Sequence, residues 1–167
     1  MQLDLLVLAF LTGLIVKITD DIEDKKKGKN QIKWVLALLY GLSIGYIISN
    51  ADFGMIFLGA IFAQVIGRKI DTATHRFGFL VAMLSILIFG IPQLDIYLFG
   101  VFLIFASLDE LDKLIFWKKP KWVEDFRPFL ELSAIPIALM GMPQYLIGIL
   151  SFDLGYILSD FIEKSKI

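Results

Sequence analysis

Seven almost purely apolar blocks run along the chain, separated by short polar or turn-forming segments. They are Leu3 to Thr19, Ile32 to Ser49, Phe53 to Ile70, Phe77 to Ile91, Leu94 to Leu108, Phe129 to Met142 and Tyr145 to Ser159. The breaks Asn50-Ala51-Asp52, Gly90-Ile91-Pro92 and Gly141-Met142-Pro143 carry turn chemistry. Lipid offers no partners for backbone amides, and a helix satisfies them internally, so each block is predicted to be a helix. The expected architecture is all-α: a polytopic transmembrane bundle of about seven helices forming one integral membrane domain over residues 1–167. Several blocks hold about 15 residues, or roughly 22 Å of helix against a hydrocarbon core of roughly 30 Å. A few helices are therefore short, tilted or re-entrant. Helices four with five, and six with seven, could be hairpins entering from one side, although seven crossings is the preferred reading.

Composition agrees with the pattern. At 57% hydrophobic and 14% aromatic, with mean hydropathy +0.76, the chain lies beyond the balance of a soluble domain. A core built from 167 residues could not hide so much apolar surface, so the excess faces lipid or neighbouring helices. Fifteen of the 16 Lys and Arg residues fall in four places: Lys25 to Lys33, Arg68 to Arg76, Lys113 to Arg127, and Lys164 with Lys166. Short basic loops are retained inside during insertion, so this side is expected to be cytoplasmic in a cell-membrane protein, with the amino terminus outside and the carboxyl terminus inside. Thirteen of the 17 acids share that side, and their interleaving with the bases argues against a nucleic-acid arm. Membrane lipids are the expected partners, and the oligomeric state is left open. The absence of cysteine excludes disulfides and thiolate chemistry. The first block lacks a basic leader and a small-x-small cleavage site, and is expected to be a retained spanning helix.

Gly41-x-x-x-Gly45, followed by Ser49, puts small residues on one face of helix two. It would allow close packing, the alternative being ordinary glycine tolerance in membrane helices. A faint repeat is also visible: Gln2-Leu3-Asp4, Gln93-Leu94-Asp95 and Pro143-Gln144 each open a block that ends in acids followed by lysine. It suggests three helices, a linker helix and three more in parallel orientation.

The candidate chemistry lies on the basic side. Asp20-Asp21-x-x-Asp24 has the form of an aspartate-rich diphosphate motif, in which Asp20 and Asp21 can each share a helix face with Asp24. Carboxylates at that pitch can hold a hydrated Mg²⁺ completed by substrate phosphates, and a solvated helix end is the plainer alternative. Lys25, Lys26, Lys27 and Lys29 follow, with Lys25 the first candidate for phosphate oxygens. Lys17, one turn earlier in the apolar block, is expected to pair with Asp21. Arg68, Asp71 and His75 would align if helix three continues through them. Arg68 and Lys69 would then meet phosphate, and His75 could relay a proton, although a lone histidine in a basic loop is more often only a loop residue. Asp109 and Asp112, with Glu110, form a second acidic wall, and Asp109, Asp112 and Asp21 are the carboxylates expected to serve catalysis. Glu131 is four residues from Arg127 and can pair with it, while Trp117 and Trp122 flank an interfacial linker. Asp153 and Gln64 lie within apolar blocks and make an alternative intramembrane site.

The segment Leu11 to Leu38, through Asp20-Asp21-Ile22-Glu23-Asp24, resembles one stretch of the polyprenyl-phosphate N-acetylhexosamine-1-phosphate transferases. That resemblance implies Mg²⁺-dependent transfer to a lipid phosphate, and only Asp20 and Asp21 match residue by residue. The chain is about half that family's length and lacks its later Asn-Asp-Gly and histidine-rich motifs. Asp20-x-x-x-Asp24 and the second acidic cluster are similar, more loosely, to UbiA-type intramembrane prenyltransferases. The three, one, three plan with Pro92-Gln93 and Pro143-Gln144 is similar to SWEET and PQ-loop transporters, although here the dipeptides open helices instead of kinking them. Three functions are thus expected in order: a Mg²⁺-dependent enzyme acting on an isoprenoid or other lipid phosphate or diphosphate, a small-solute or ion transporter with a midplane site near Asp153 and Gln64, and a non-catalytic membrane scaffold subunit.

Overall fold

The computed structural model describes residues 2–24, 31–111 and 128–164. Among the described residues there are seven α-helices and no strand: α1 (Leu3–Asp24), α2 (Ile32–Asn50), α3 (Gly54–Ile66), α4 (Ala73–Phe89), α5 (Ile96–Leu111), α6 (Pro128–Leu139) and α7 (Gln144–Lys164). Each grows from one apolar block, and the differences lie at the ends. Helix α1 runs past Thr19 to Asp24 because its acidic last turns find partners on other helices. Helix α3 stops four residues before its block does. The Gly67 amide donates to the Ala63 carbonyl at 2.8 Å and the Lys69 amide to the Gln64 carbonyl at 2.9 Å, with Arg68 at φ 55°. This closes the helix with a residue in the left-handed region.

Helix α4 then begins afresh. Thr72 adopts an extended conformation and its Oγ1 accepts from the His75 amide at 3.2 Å, a side-chain N-cap. Arg68, Asp71 and His75 therefore do not align on one continuing helix as the sequence suggests. They fall on a C-cap, a connector and the first turn of α4. That helix, expected as a linker between two triplets, lies along α2.

Small residues let two helices approach closely and make extensive van der Waals contact. Three pairs pack most extensively: α2 with α4, α1 with α7, and α3 with α5. On α2, Gly41 faces the Gly78 carbonyl and Val81, and Gly45 faces Ser85 and the Ala82 carbonyl, which is the close packing that the glycine spacing allows. Edge-on rings seal the same seam at both ends, Trp34 on Phe77 at 5.6 Å and Tyr46 on Phe89 at 4.9 Å. The α1–α7 crossing is reciprocal: Gly13 lies against the Phe152 carbonyl and Gly155 against the Phe10 carbonyl.

Helix α3 is the centre of the bundle. Every residue from Met55 to Ile61 is buried, and the helix packs on α2, α5 and α7. Outwards, large apolar side chains are exposed on all seven helices, among them Val7, Val35, Phe62, Leu84, Ile104, Leu132 and Leu154. Among the described residues one helix, Ile32–Asn50, is long and apolar enough by itself to cross a membrane, and four shorter apolar helices accompany it.

Candidate functional site

Helices α3 and α4 follow one another in the chain yet make little or no contact with each other. A cavity of about 590 Å³ lies beside them, also walled by α1, α2, α7 and the end of α5. Its character changes with depth. The side chains well inside the helices are apolar: Ile44, Phe57, Ala60, Ile61, Phe79 and Phe152. Those at helix ends and in the α3–α4 connector are charged: Lys17, Asp20, Glu23, Asp24, Lys69, Asp71 and Glu110. Tyr40, Gln64, His75 and Tyr156 join the two zones.

A chain of polar contacts crosses this wall. The Tyr156 hydroxyl donates to Asp20 Oδ2 at 2.9 Å, Asp20 Oδ1 lies 3.3 Å from His75 Nε2, and His75 Nδ1 lies 3.4 Å from the Tyr40 hydroxyl. Four helices, α7, α1, α4 and α2, are thereby tied at one level. The geometry depends on Gly78, because an added Cβ there would fall on the Tyr40 phenol. Further ion pairs stand around these contacts. Lys17 meets Asp21 at 3.4 Å and stands 5.1 Å over the Tyr156 ring. Lys33 of α2 holds Glu23 at 3.1 Å, and Lys69 holds Glu110 of α5 at 3.4 Å.

The expected site residues divide accordingly. Asp20, Asp24, Lys69 and Gln64 line the cavity. Asp21 is engaged with Lys17, as the sequence spacing suggests. Arg68 is exposed at the α3 terminus and is not among the lining residues. Asp109 receives the Phe129 amide at 3.1 Å and the Leu130 amide at 2.8 Å, so its carboxylate caps α6. Asp153, only 4% exposed, faces Glu131 of α6. Gln64 and Asp153, paired in the transporter expectation, thus do not line the cavity together. Lys25, Asp112, Trp117, Trp122 and Arg127 lie outside the described residues.

Asp20 is held by Tyr156 and His75, Asp21 by Lys17, and among the described residues no group of three or more His, Asp or Glu side chains is placed to hold a metal ion. Sequence reasoning passed over Tyr40 and Tyr156. Each is one of several hydroxyls in an apolar block, and only the folded structure brings it to its partner. Comparison with family profiles, with curated proteins and with solved structures finds no match to this chain.

Proposed function

We propose that the chain is a multi-pass membrane enzyme acting on an isoprenoid or other lipid phosphate or diphosphate at the cytoplasmic face. One observation carries this reading: a cavity that joins an aromatic and aliphatic inner wall to a charged mouth, as an amphiphile requires. The apolar side chains exposed on every helix support a lipid setting, with α2 crossing by its own length and the shorter helices crossing as parts of the bundle. The hydrocarbon chain lies along Phe57, Ile61 and Phe152, and the phosphate meets Lys69 and Lys17 at the mouth. Carboxylates outnumber lysines there and would repel a bare diphosphate. Magnesium is therefore proposed as the counter-ion that the substrate brings, with Asp24 the carboxylate it first meets at the rim. Catalysis follows chiefly from positioning and charge neutralisation.

The test is binding of a fluorescent polyprenyl diphosphate to the protein in lipid nanodiscs with Mg²⁺. Ala60→Phe fills the inner wall and is expected to weaken binding at least about tenfold, a loss of about 1.4 kcal/mol. Affinity should also rise with chain length. Equal affinity for the variant and the unaltered protein, or indifference to chain length, would remove the amphiphile reading.

A further inference from the structure

We propose that Tyr40, His75 and Asp20 form the proton-transfer group of the cavity, with His75 the general base for a hydroxyl acceptor, an alcohol or water, reached through the Tyr40 hydroxyl. The identity of the group transferred rests on the lipid-phosphate reading above; the placement of the protons does not.

The imidazole is the one histidine of the chain, and the Thr72 cap sets it in the first turn of α4, facing α1. Its two contacts suit both of its charge states. In the neutral ring Nδ1 accepts from the Tyr40 hydroxyl, 3.4 Å away, which leaves the ring hydrogen on Nε2, 3.3 Å from the Asp20 carboxylate. In the charged ring Nδ1 also carries hydrogen and donates to the Tyr40 oxygen, because a phenol hydroxyl both donates and accepts. Only a hydroxyl hydrogen turns between the two states, so a proton is taken up with no heavy atom moving. Asp20 faces the new charge, and the Tyr156 hydroxyl at 2.9 Å fixes that carboxylate's orientation. Glu23 and Asp71 also line this wall, with Lys17 beyond Asp20.

A plain tether between α1 and α4 would need Asp20 and His75 alone. It would not need a glycine at position 78 to seat the Tyr40 phenol beside the ring, nor would it need all four groups to line the cavity. An oriented base with a carboxylate behind it is the arrangement that activates hydroxyl nucleophiles.

The step balances as follows. The acceptor's O–H bond breaks and its proton passes to the Tyr40 oxygen, while Tyr40 passes its own proton to His75 Nδ1. The acceptor oxygen's electron pair forms the new O–P bond. The opposite P–O bond breaks, and its electron pair leaves on the departing phosphate oxygen. Asp20 is a positioning residue in this step.

Because there is one histidine, protein labelled with ¹⁵N-histidine reports His75 alone. In nanodiscs at neutral pH, Nε2 is expected to carry hydrogen. Tyr40→Phe should shift the Nδ1 resonance and leave Nε2–H in place, while Asp20→Asn should give a mixture of the two tautomers. An Nε2 without hydrogen, or spectra unchanged in both variants, would overturn the proton placement. In a polyprenyl diphosphate transfer assay, His75→Gln should lower kcat by roughly 10²- to 10⁴-fold with KM little changed, and Tyr40→Phe should also lower kcat. An undiminished kcat in His75→Gln would overturn the base while leaving the substrate reading intact. If the unaltered protein turns over no lipid phosphate, that reading fails, and the labelled-histidine spectra alone decide the proton placement.

Discussion

Gly155→Leu is expected to separate α7 from α1 and to lower the stability of the bundle by about 3 kcal/mol, the upper part of the range for overpacking. The reason is geometric. A Cβ at position 155 would lie on the backbone carbonyl of Phe10, and backbone cannot turn aside as a flexible side chain can. Gly13 meets the Phe152 carbonyl in the same way, so neither helix can slide to relieve the other. Separation would also remove Tyr156 from Asp20 and open the cavity wall. Gly100→Leu is the matched comparison, since nothing lies within 4 Å of a Cβ built there. Detergent-induced unfolding followed by tryptophan fluorescence should show an early transition for Gly155→Leu and an unshifted one for Gly100→Leu. Equal midpoints would show that the crossing tolerates a wider spacing.

The second large effect concerns Asp109. Both of its carboxylate oxygens accept amides from the first turn of α6, where unpaired backbone donors would otherwise stand and the helix dipole favours a negative charge. Asp109→Ala is expected to cost about 1 to 2 kcal/mol, with Asp109→Asn losing less because one oxygen acceptor remains. Hydrogen exchange at Phe129 and Leu130 measures it: faster exchange in both variants, greatest for alanine, is the outcome expected of a cap. Unchanged exchange would return Asp109 to the list of groups available for chemistry.

Much of the fold was legible in the sequence because each apolar block is long and its breaks carry glycine, proline or asparagine. Two ends were not. Hydropathy ends the first block at Thr19, while the pitch of the acidic run allows the helix to continue, and partners on other helices carry α1 on to Asp24. The early end of α3 depends on Arg68 taking a conformation that its residue type disfavours, so no composition signal marks it. Asp20 and Asp24 of the acidic run reach the cavity. The run's meaning was hidden in partners far along the chain: Tyr156 lies 136 positions from Asp20, and Tyr40 lies 35 from His75. Spacing within a helix shows which carboxylates share a face; it cannot show which of them another helix has already claimed. Asp109 illustrates the same limit, being set beside an acidic neighbour in sequence and beside α6 in space.

The distance along the chain from Asp20 to Tyr156 also governs how the protein can be made. Ribosomal elongation at roughly 5 to 20 residues per second leaves α1 without α7 for on the order of ten seconds, while its glycine face lacks the helix it packs on in the folded chain. During that interval the bundle is a half-open cradle with one wall missing. Slow codons ahead of α7 would lengthen that exposure and lower the yield of folded chain.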